Sequence, residues 1–145
     1  MTTEADIGYG TLFQTGADSS PEVWTTMGEV TNITPPEMSR DSVDATHEQS
    51  PNGWREFIPG LKDGGEVSLE LNYVPGNAST LALMAELNLS GQSATKPRRI
   101  LFTDGSFLEF DAFLTNFGPE APIDDKMAAS VTFKVTGRPL LTQAA

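Results

Sequence analysis

Few side chains in this chain of 145 residues could do chemistry. There is no cysteine, which excludes thiolate metal sites and cysteine nucleophiles, and the single histidine is His47. A serine hydrolase would have to use His47 as its general base, yet residues 41–48 supply acids without a nucleophile elbow. We therefore interpret His47 as a solvated or interface residue and expect no enzymatic activity.

Pairs of acidic side chains are the other chemical candidates. Glu109 and Asp111 alternate along one predicted strand, as two carboxyl groups flanking a sugar in a glycosidase would require, but no sugar cleft is evident. Asp124 and Asp125 are adjacent, whereas a calcium loop needs several oxygen ligands at set spacings around a glycine turn. We expect no metal and no cofactor.

The balance of charge is strongly acidic. Twenty aspartates and glutamates oppose nine lysines and arginines, which gives a formal net charge of −11 at pH 7. Nucleic-acid-binding proteins place cations on phosphates, so this chain should repel DNA rather than hold it. The only basic cluster, residues 96–99, is better interpreted as a charge-pairing patch. No apolar run approaches the roughly 20 residues that span a bilayer, and we expect no membrane partner.

Alternating apolar and polar residues predict a protein built mainly of strands. Residues 66–73, 107–114 and 129–136 each place apolar side chains on one face of a strand. Asp104-Gly105 lies between two β-prone runs and favours a hairpin with a type I′ turn. Further strands are expected in three earlier segments, 11–15, 23–33 and 39–46.

One helix is predicted among these strands. Apolar residues recur at helical spacing over 77–89, after capping residues and before a serine–glycine pair. We expect Leu81, Met84 and Leu87 to pack on a sheet. Strands around a solitary helix favour a mainly β fold, a sandwich or small barrel, in a single domain over 1–145.

A long segment at about 44–63 lacks a regular pattern and is predicted to protrude as a loop. It contains Trp54 and Phe57, whereas disordered linkers are poor in aromatic residues. Aromatic side chains on such an excursion need a partner surface. We favour the surface of a neighbouring molecule over the chain's own domain.

The order of these segments resembles that of phage tail tube proteins of the long, flexible, non-contractile type. The resemblance covers most of the chain and rests on four features: Gly8-Tyr9-Gly10 and the four residues after it, segment 33–46, segment 60–67 with the strand that ends at Gly76, and the helix followed by a hairpin and a last strand. It implies a mainly β fold of two packed antiparallel sheets, in a sandwich or partial barrel, with one flanking α-helix. It also implies hexameric rings whose sheets join into one inner barrel and which stack head to tail.

The same resemblance implies a structural subunit of a bacteriophage tail tube, a hollow conduit with an acidic lumen. DNA would pass through it to the host without specific binding, because a polyanion slides past an acidic wall. The protein would be part of the virion tail, after assembly in the cytoplasm of the bacterial host. Its partners would be copies of itself, the tape-measure protein, and the tail-tip and terminator proteins.

Particular residues take roles through this resemblance. The long loop would contact a neighbouring subunit or the next ring through Asp44, His47, Trp54, Arg55, Phe57 and Ile58. The candidate lumen-facing acids are Glu66, Glu70, Glu109 and Asp111. The N-terminal arm and the tail at 140–145 would make secondary contacts.

Other functions remain open at this point. Another ring-forming tail component, such as a tail terminator, or a type VI tube protein would share the fold and differ in stacking. A carbohydrate-binding β-sandwich, from a different class, could use Trp24 or Trp54 as a stacking platform for a sugar.

Overall fold

The computed structural model describes residues 10–16 and 24–143. Within these residues the chain forms nine strands, one α-helix and two short 3₁₀ helices. The strands are β1 (Leu12–Gly16), β2 (Trp24–Thr26), β3 (Val30–Thr34), β4 (Ser39–Asp44), β5 (Phe57–Asp63), β6 (Glu66–Asn72), β7 (Lys96–Leu101), β8 (Phe107–Glu120) and β9 (Ala128–Thr142). Helix α1 spans Ala78–Leu87, and the 3₁₀ helices span Pro51–Gly53 and Gly91–Ala94. Gly8, Tyr9 and the start of the predicted 23–33 strand lie outside the described residues, as do the last two residues of the predicted C-terminal contact.

Seven strands form one antiparallel sheet in the order β2-β1-β7-β8-β9-β6-β3. This sheet curls on itself, because Phe13 of β1 stacks on Phe133 of β9 with ring centroids 5.4 Å apart, although β7 and β8 separate the two strands within the sheet. The mainly β fold with one helix is confirmed, and the partial-barrel form describes it better than the sandwich. The second sheet contains only β4 and β5. Every residue of β4 is exposed, so this pair does not close the core.

The core lies on the inner face of the curled sheet. In β6, Val67, Leu69 and Leu71 are buried, whereas Glu66 and the other residues between them are exposed. Strands β8 and β9 show the same alternation over their first halves. The period-two pattern of the sequence therefore identified both the strands and the buried face, because a strand directs successive side chains to opposite sides.

The hairpin between β7 and β8 forms, but its turn is not of type I′. Of the turn residues, only Gly105 has a positive φ, of 92°. The N–H of Gly105 donates to the carbonyl of Phe102 at 3.1 Å, and the N–H of Phe102 donates to the carbonyl of Ser106 at 2.9 Å. These bonds fit a three-residue loop that ends in a left-handed glycine, which needs only one positive φ. The hairpin prediction is confirmed and the turn type is corrected.

Helix α1 presents a different face to the sheet from the one predicted. Thr80 and Leu83 are buried, whereas Leu81, Met84 and Leu87 are exposed by 46–60%. The helix begins as predicted, with the side chain of Asn77 accepting a hydrogen bond from the N–H of Ser79 at 2.9 Å. Its orientation follows from a polar contact between the helix and β7, and the predicted packing of the three apolar residues is wrong.

Candidate assembly surfaces

The predicted long loop is a projecting β-hairpin, which we call the arm and which consists of β4, β5 and the tip between them, residues 45–56. The two strands pair up to Asp44 opposite Phe57. The structure thus corrects the expectation of an irregular loop, because residues 57–63 form a strand. A register shift near Gly60 hides the alternation, and a Cβ on Gly60 would lie 3.0 Å from the opposite strand.

A compact hydrogen-bond network holds the tip of the arm. Ser50 Oγ donates to Glu56 Oε2 at 2.8 Å and lies 3.1 Å from His47 Nδ1, which is itself 3.3 Å from Glu56 Oε2. The N–H of Glu56 donates to Thr46 Oγ1 at 2.8 Å. The hydroxyl of Ser50 and the carboxylate of Glu56 approach the same nitrogen of His47. In a catalytic triad the histidine instead uses one ring nitrogen for the nucleophile and the other for the acid, so this network is not a triad. The network gives His47 a role in shaping the tip.

The apolar residues predicted as contacts are exposed on the arm. Trp54 is 74% exposed, Phe57 55% and Ile58 54%, and Arg55 is exposed as well. Leu61, which the sequence did not single out, is 83% exposed. The arm therefore presents a run of large apolar side chains for which its own domain provides no cover within the described residues.

Asp44 ends the first strand of the arm and shapes the turn that follows. Its Oδ1 accepts a hydrogen bond from the N–H of Thr46 at 2.9 Å. Hydrogen bonds from the hydroxyl and the N–H of Thr46 lower the pKa of Asp44 below its ordinary value, because they favour the carboxylate. The predicted contact role of Asp44 remains a prediction.

The base of the arm is fixed to the sheet. Gly65 has a φ of +79°, and a Cβ there would lie 2.3 Å from the carbonyl oxygen of Glu37. Lys134 Nζ of β9 lies 2.8 Å from Asp63 Oδ1, at the end of β5. The hydrogen bond from Lys134, followed by one from the N–H of Gly65, lowers the pKa of Asp63. The arm thus leaves the sheet through a packed joint, since glycine alone tolerates this close approach.

The four acids predicted for the lumen share one face of the seven-stranded sheet. Glu66 and Glu70 of β6 lie opposite residues of β9 that project to one side of that strand. Asp111 of β8 lies opposite Thr136, which projects to the same side of β9. Glu109 precedes Asp111 by two residues and faces Arg99 of β7. Residues opposite each other in an antiparallel pair project to the same side. This face is opposite the core, and we call it the acidic face.

Two cations of the acidic face, Arg99 and Lys134, are held by neighbouring side chains. Arg99 lies against two aromatic rings, 4.5 Å from the centroid of Trp24 and 5.3 Å from that of Phe107, and its Nε donates to the side chain of Gln14. Lys134 on β9 is engaged with Asp63, as described above. Neither arrangement was predicted, because the partners are distant in sequence. Four carboxylates and two engaged cations thus share this face.

The other arginine of the basic cluster is buried inside the fold. Arg98 has a fully buried side chain, and its Nη2 lies 2.9 Å from Glu86 Oε1 of helix α1. Its Nη1 donates to Glu86 Oε2 at 3.2 Å and to Thr15 Oγ1 at 3.1 Å. The charge-pairing interpretation of the cluster is confirmed for Arg98. This pair joins the helix to the sheet and explains why the helix turns Glu86 inward.

Two kinds of feature are absent from the part of the chain that the structure describes. Between residues 10 and 16 and between 24 and 143, no three histidine, aspartate or glutamate side chains group closely enough to hold a metal ion. No helix of these segments is long and apolar enough to span a bilayer.

Solved structures with this fold belong to tails and injection machines. The tail of an empty gene transfer agent particle matches with a TM-score of 0.74 and 14% identity, over 96% of this chain and all of that one. The sheath/tube terminator of the extracellular contractile injection system PVC matches with a TM-score of 0.72 and 13% identity, over 99% of this chain and all of that one. The SPP1 tail tube matches with a TM-score of 0.63 and 14% identity, over 96% of this chain and 80% of that one. No curated protein sequence matches significantly.

The fold is therefore tail-tube-like. The profile of the lambda phage tail tube protein family matches residues 8–142, so this chain belongs to that family. It is a structural subunit of a phage tail and a component of the virion, and its role is not enzymatic.

Proposed function

We propose that this protein forms hexameric rings that stack head to tail into a hollow tail tube, with the acidic face lining the lumen. DNA passes along this lumen without specific binding. The tape-measure protein and the tail-tip and terminator proteins are the further partners in assembly. The six-fold symmetry of the gene transfer agent tail, whose subunit shares the fold, supports the hexamer.

The observation that carries self-assembly is the exposed apolar surface of the arm. Trp54, Phe57 and Leu61 extend from a hairpin that its own domain leaves uncovered. Burying a large apolar side chain in a neighbouring subunit stabilises the contact by about 1.5–3 kcal/mol. Because a ring repeats each contact, such an arm links every subunit to the next.

The edges of the seven-stranded sheet support ring closure. Strands β2 and β3 end the sheet, and β2 has only three residues. An open edge exposes unpaired N–H and C=O groups, which a second sheet can satisfy. Joining the sheets of six subunits into one barrel removes these edges within the ring.

The acidic face supports a conduit for DNA. Glu66, Glu70, Glu109 and Asp111 lie on one face, and the side chains of Arg99 and Lys134 on the same face are held by neighbouring groups. Phosphates gain affinity from available cations, so a wall whose cations are engaged favours sliding over docking.

Negative-stain electron microscopy of the purified protein, dilute and concentrated, tests the assembly. Stacked rings or hollow tubes that Trp54→Ala weakens and Trp54→Phe preserves are the expected result, because phenylalanine retains an aromatic anchor. Monomers under all conditions would contradict self-assembly. A cryo-EM map that placed the four carboxylates on the outer wall would contradict the acidic lumen.

Two alternatives give different results in the same experiments. A tail terminator would form one closed ring without further stacking, and the shared fold of the terminator of the PVC system keeps this option open. A sugar-binding protein would change its tryptophan fluorescence on sugar titration. The Trp24 ring already stacks on Arg99, which leaves Trp54 as its platform.

A further inference from the structure

A groove of about 690 Å³ lies at the base of the arm, between the arm strands and the second half of β9. Its apolar lining comes from Met38, Val135 and Pro139. Three cations also line it: Arg40, Lys62 and Arg138. The groove is thus an apolar trough with a basic rim.

The three cations of the groove are uncompensated. Arg40, Lys62 and Arg138 are exposed, and within the described residues none forms an ion pair or a side-chain hydrogen bond. The acid in the lining, Asp63, is already paired with Lys134 at 2.8 Å. One third of the nine cations of a chain with net charge −11 therefore meet at one groove without an acidic partner.

A complementary element consists of the last residue of β8 and its connection to β9, residues 120–127. Ile123 is fully exposed at its centre. Three exposed acids, Glu120, Asp124 and Asp125, accompany it against one lysine. An apolar side chain flanked by carboxylates matches an apolar trough flanked by cations. We call this connection the acidic loop.

The groove and the acidic loop are separated along β9. Strand β9 begins at Ala128, directly after the loop, and reaches the groove at Val135. A strand advances about 3.4 Å per residue, so roughly 25 Å separate the two features. The loop of a subunit therefore lies far from its own groove, and a contact between the two features requires a second subunit.

We propose that the acidic loop of one subunit inserts into the groove of the next subunit along the tube. Ile123 contacts the apolar lining, and Asp124 and Asp125 pair with the cations of the rim. Such a contact joins two different surfaces, so it repeats without closing and produces an open stack. The inference rests on the proposed stacking and names the residues that carry it.

Cysteine crosslinking tests the contact directly, because the natural chain has no cysteine. A chain that carries both Ile123→Cys and Arg138→Cys should give a ladder of covalent oligomers on oxidation. Mixing the two single variants should give a covalent dimer of one of each. The matched control pairs Ile123→Cys with Asp104→Cys, which lies in the exposed β7–β8 turn outside the groove. A ladder from the control alone would overturn the proposal.

Charge reversal supplies an independent test. Asp124→Lys with Asp125→Lys should lower the pelletable polymer by about tenfold or more, because like charges then face each other. Lys62→Glu with Arg138→Glu in the same chain should restore much of it. Circular dichroism checks that each variant folds.

The failure of this inference differs from the failure of the proposed function. Tubes of normal length and yield from the reversed loop, with no covalent ladder, would overturn the loop–groove contact and leave stacking intact. A wild-type chain that never forms polymer would overturn both.

Discussion

The interaction that most constrains the helix is the buried ion pair between Arg98 and Glu86. The arginine side chain is fully buried and the glutamate side chain 10% exposed. The guanidinium also donates from Nε to the carbonyl of Ala112 at 3.3 Å and lies 4.5 Å from the centroid of the Phe133 ring. Burial lowers the pKa of Arg98, and Glu86 partly offsets that effect. The arginine remains charged at any ordinary pH.

We predict that Glu86→Gln destabilises the protein strongly. The substitution keeps the size of the side chain and removes the negative charge, so a cation stays buried without compensation. Removing one partner of a buried pair costs about 3–5 kcal/mol. At about 2–4 °C per kcal/mol for a chain of this size, the melting temperature should fall by on the order of 10 °C.

Urea denaturation of the dilute protein, followed by circular dichroism, measures this loss. The control is Glu70→Gln, which removes the same charge from an exposed position on β6. Replacing both partners, as in Glu86→Leu with Arg98→Met, should cost less than Glu86→Gln alone, because no buried charge then remains. If Glu86→Gln lay within about 1 kcal/mol of the control, the pair would not anchor the helix and the reasoning would be refuted.

Three further predictions concern the joint of the arm and the start of the helix. Gly65→Ala should lower the free energy of unfolding by more than about 2 kcal/mol, because φ is positive and a Cβ would meet a backbone carbonyl. In the same urea titration the control Gly76→Ala should lower it far less, because nothing lies within 4 Å of a Cβ there. Lys134→Met should raise the pKa of Asp63 toward its ordinary value, which NMR titration of the carboxyl group would measure. Because folding lowers this pKa, the stabilisation from Asp63 is present at pH values above the ordinary pKa and is lost as the pH falls through the folded-state pKa. An unchanged pKa would disprove the interaction between Lys134 and Asp63. Asn77→Ala should cost about 1 kcal/mol through loss of the N-cap, and no change in the urea midpoint would count against that cap.

The parts of the fold that sequence predicted are those governed by local periodicity. Val67, Leu69 and Leu71 are buried in alternation, because the pleat of a strand fixes the direction of each side chain regardless of what it meets. Strand β5 of the arm was not predicted, because Pro59 and Gly60 interrupt the alternation and a register shift places an additional residue in this strand. Strand pairing depends on a partner, and the partner strand β4 has no apolar pattern of its own.

The helix shows why a local rule can select the wrong face. Leu81, Met84 and Leu87 follow helical spacing, and burial by hydrophobicity alone would turn them inward. The sheet instead presents Arg98, whose burial requires a carboxylate within reach. Glu86 supplies it, and its inward position leaves the apolar residues facing out. No single-sequence pattern links positions 86 and 98, so the deciding contact was beyond prediction.

On the proposed function, the distribution of cations gives a physical reason why a strongly acidic chain would avoid DNA and associate with itself. Net charge acts at long range, but salt screens it beyond about 8 Å in physiological solution. Contact charges act within that distance, and there the chain is not uniformly acidic: the acidic face has its cations engaged, while the groove at the base of the arm has its cations available. A polyanion that approaches the acidic face meets only repulsion, and an acidic loop that approaches the groove meets attraction. The placement of these five cations, more than the net charge of −11, therefore decides which partner each surface accepts.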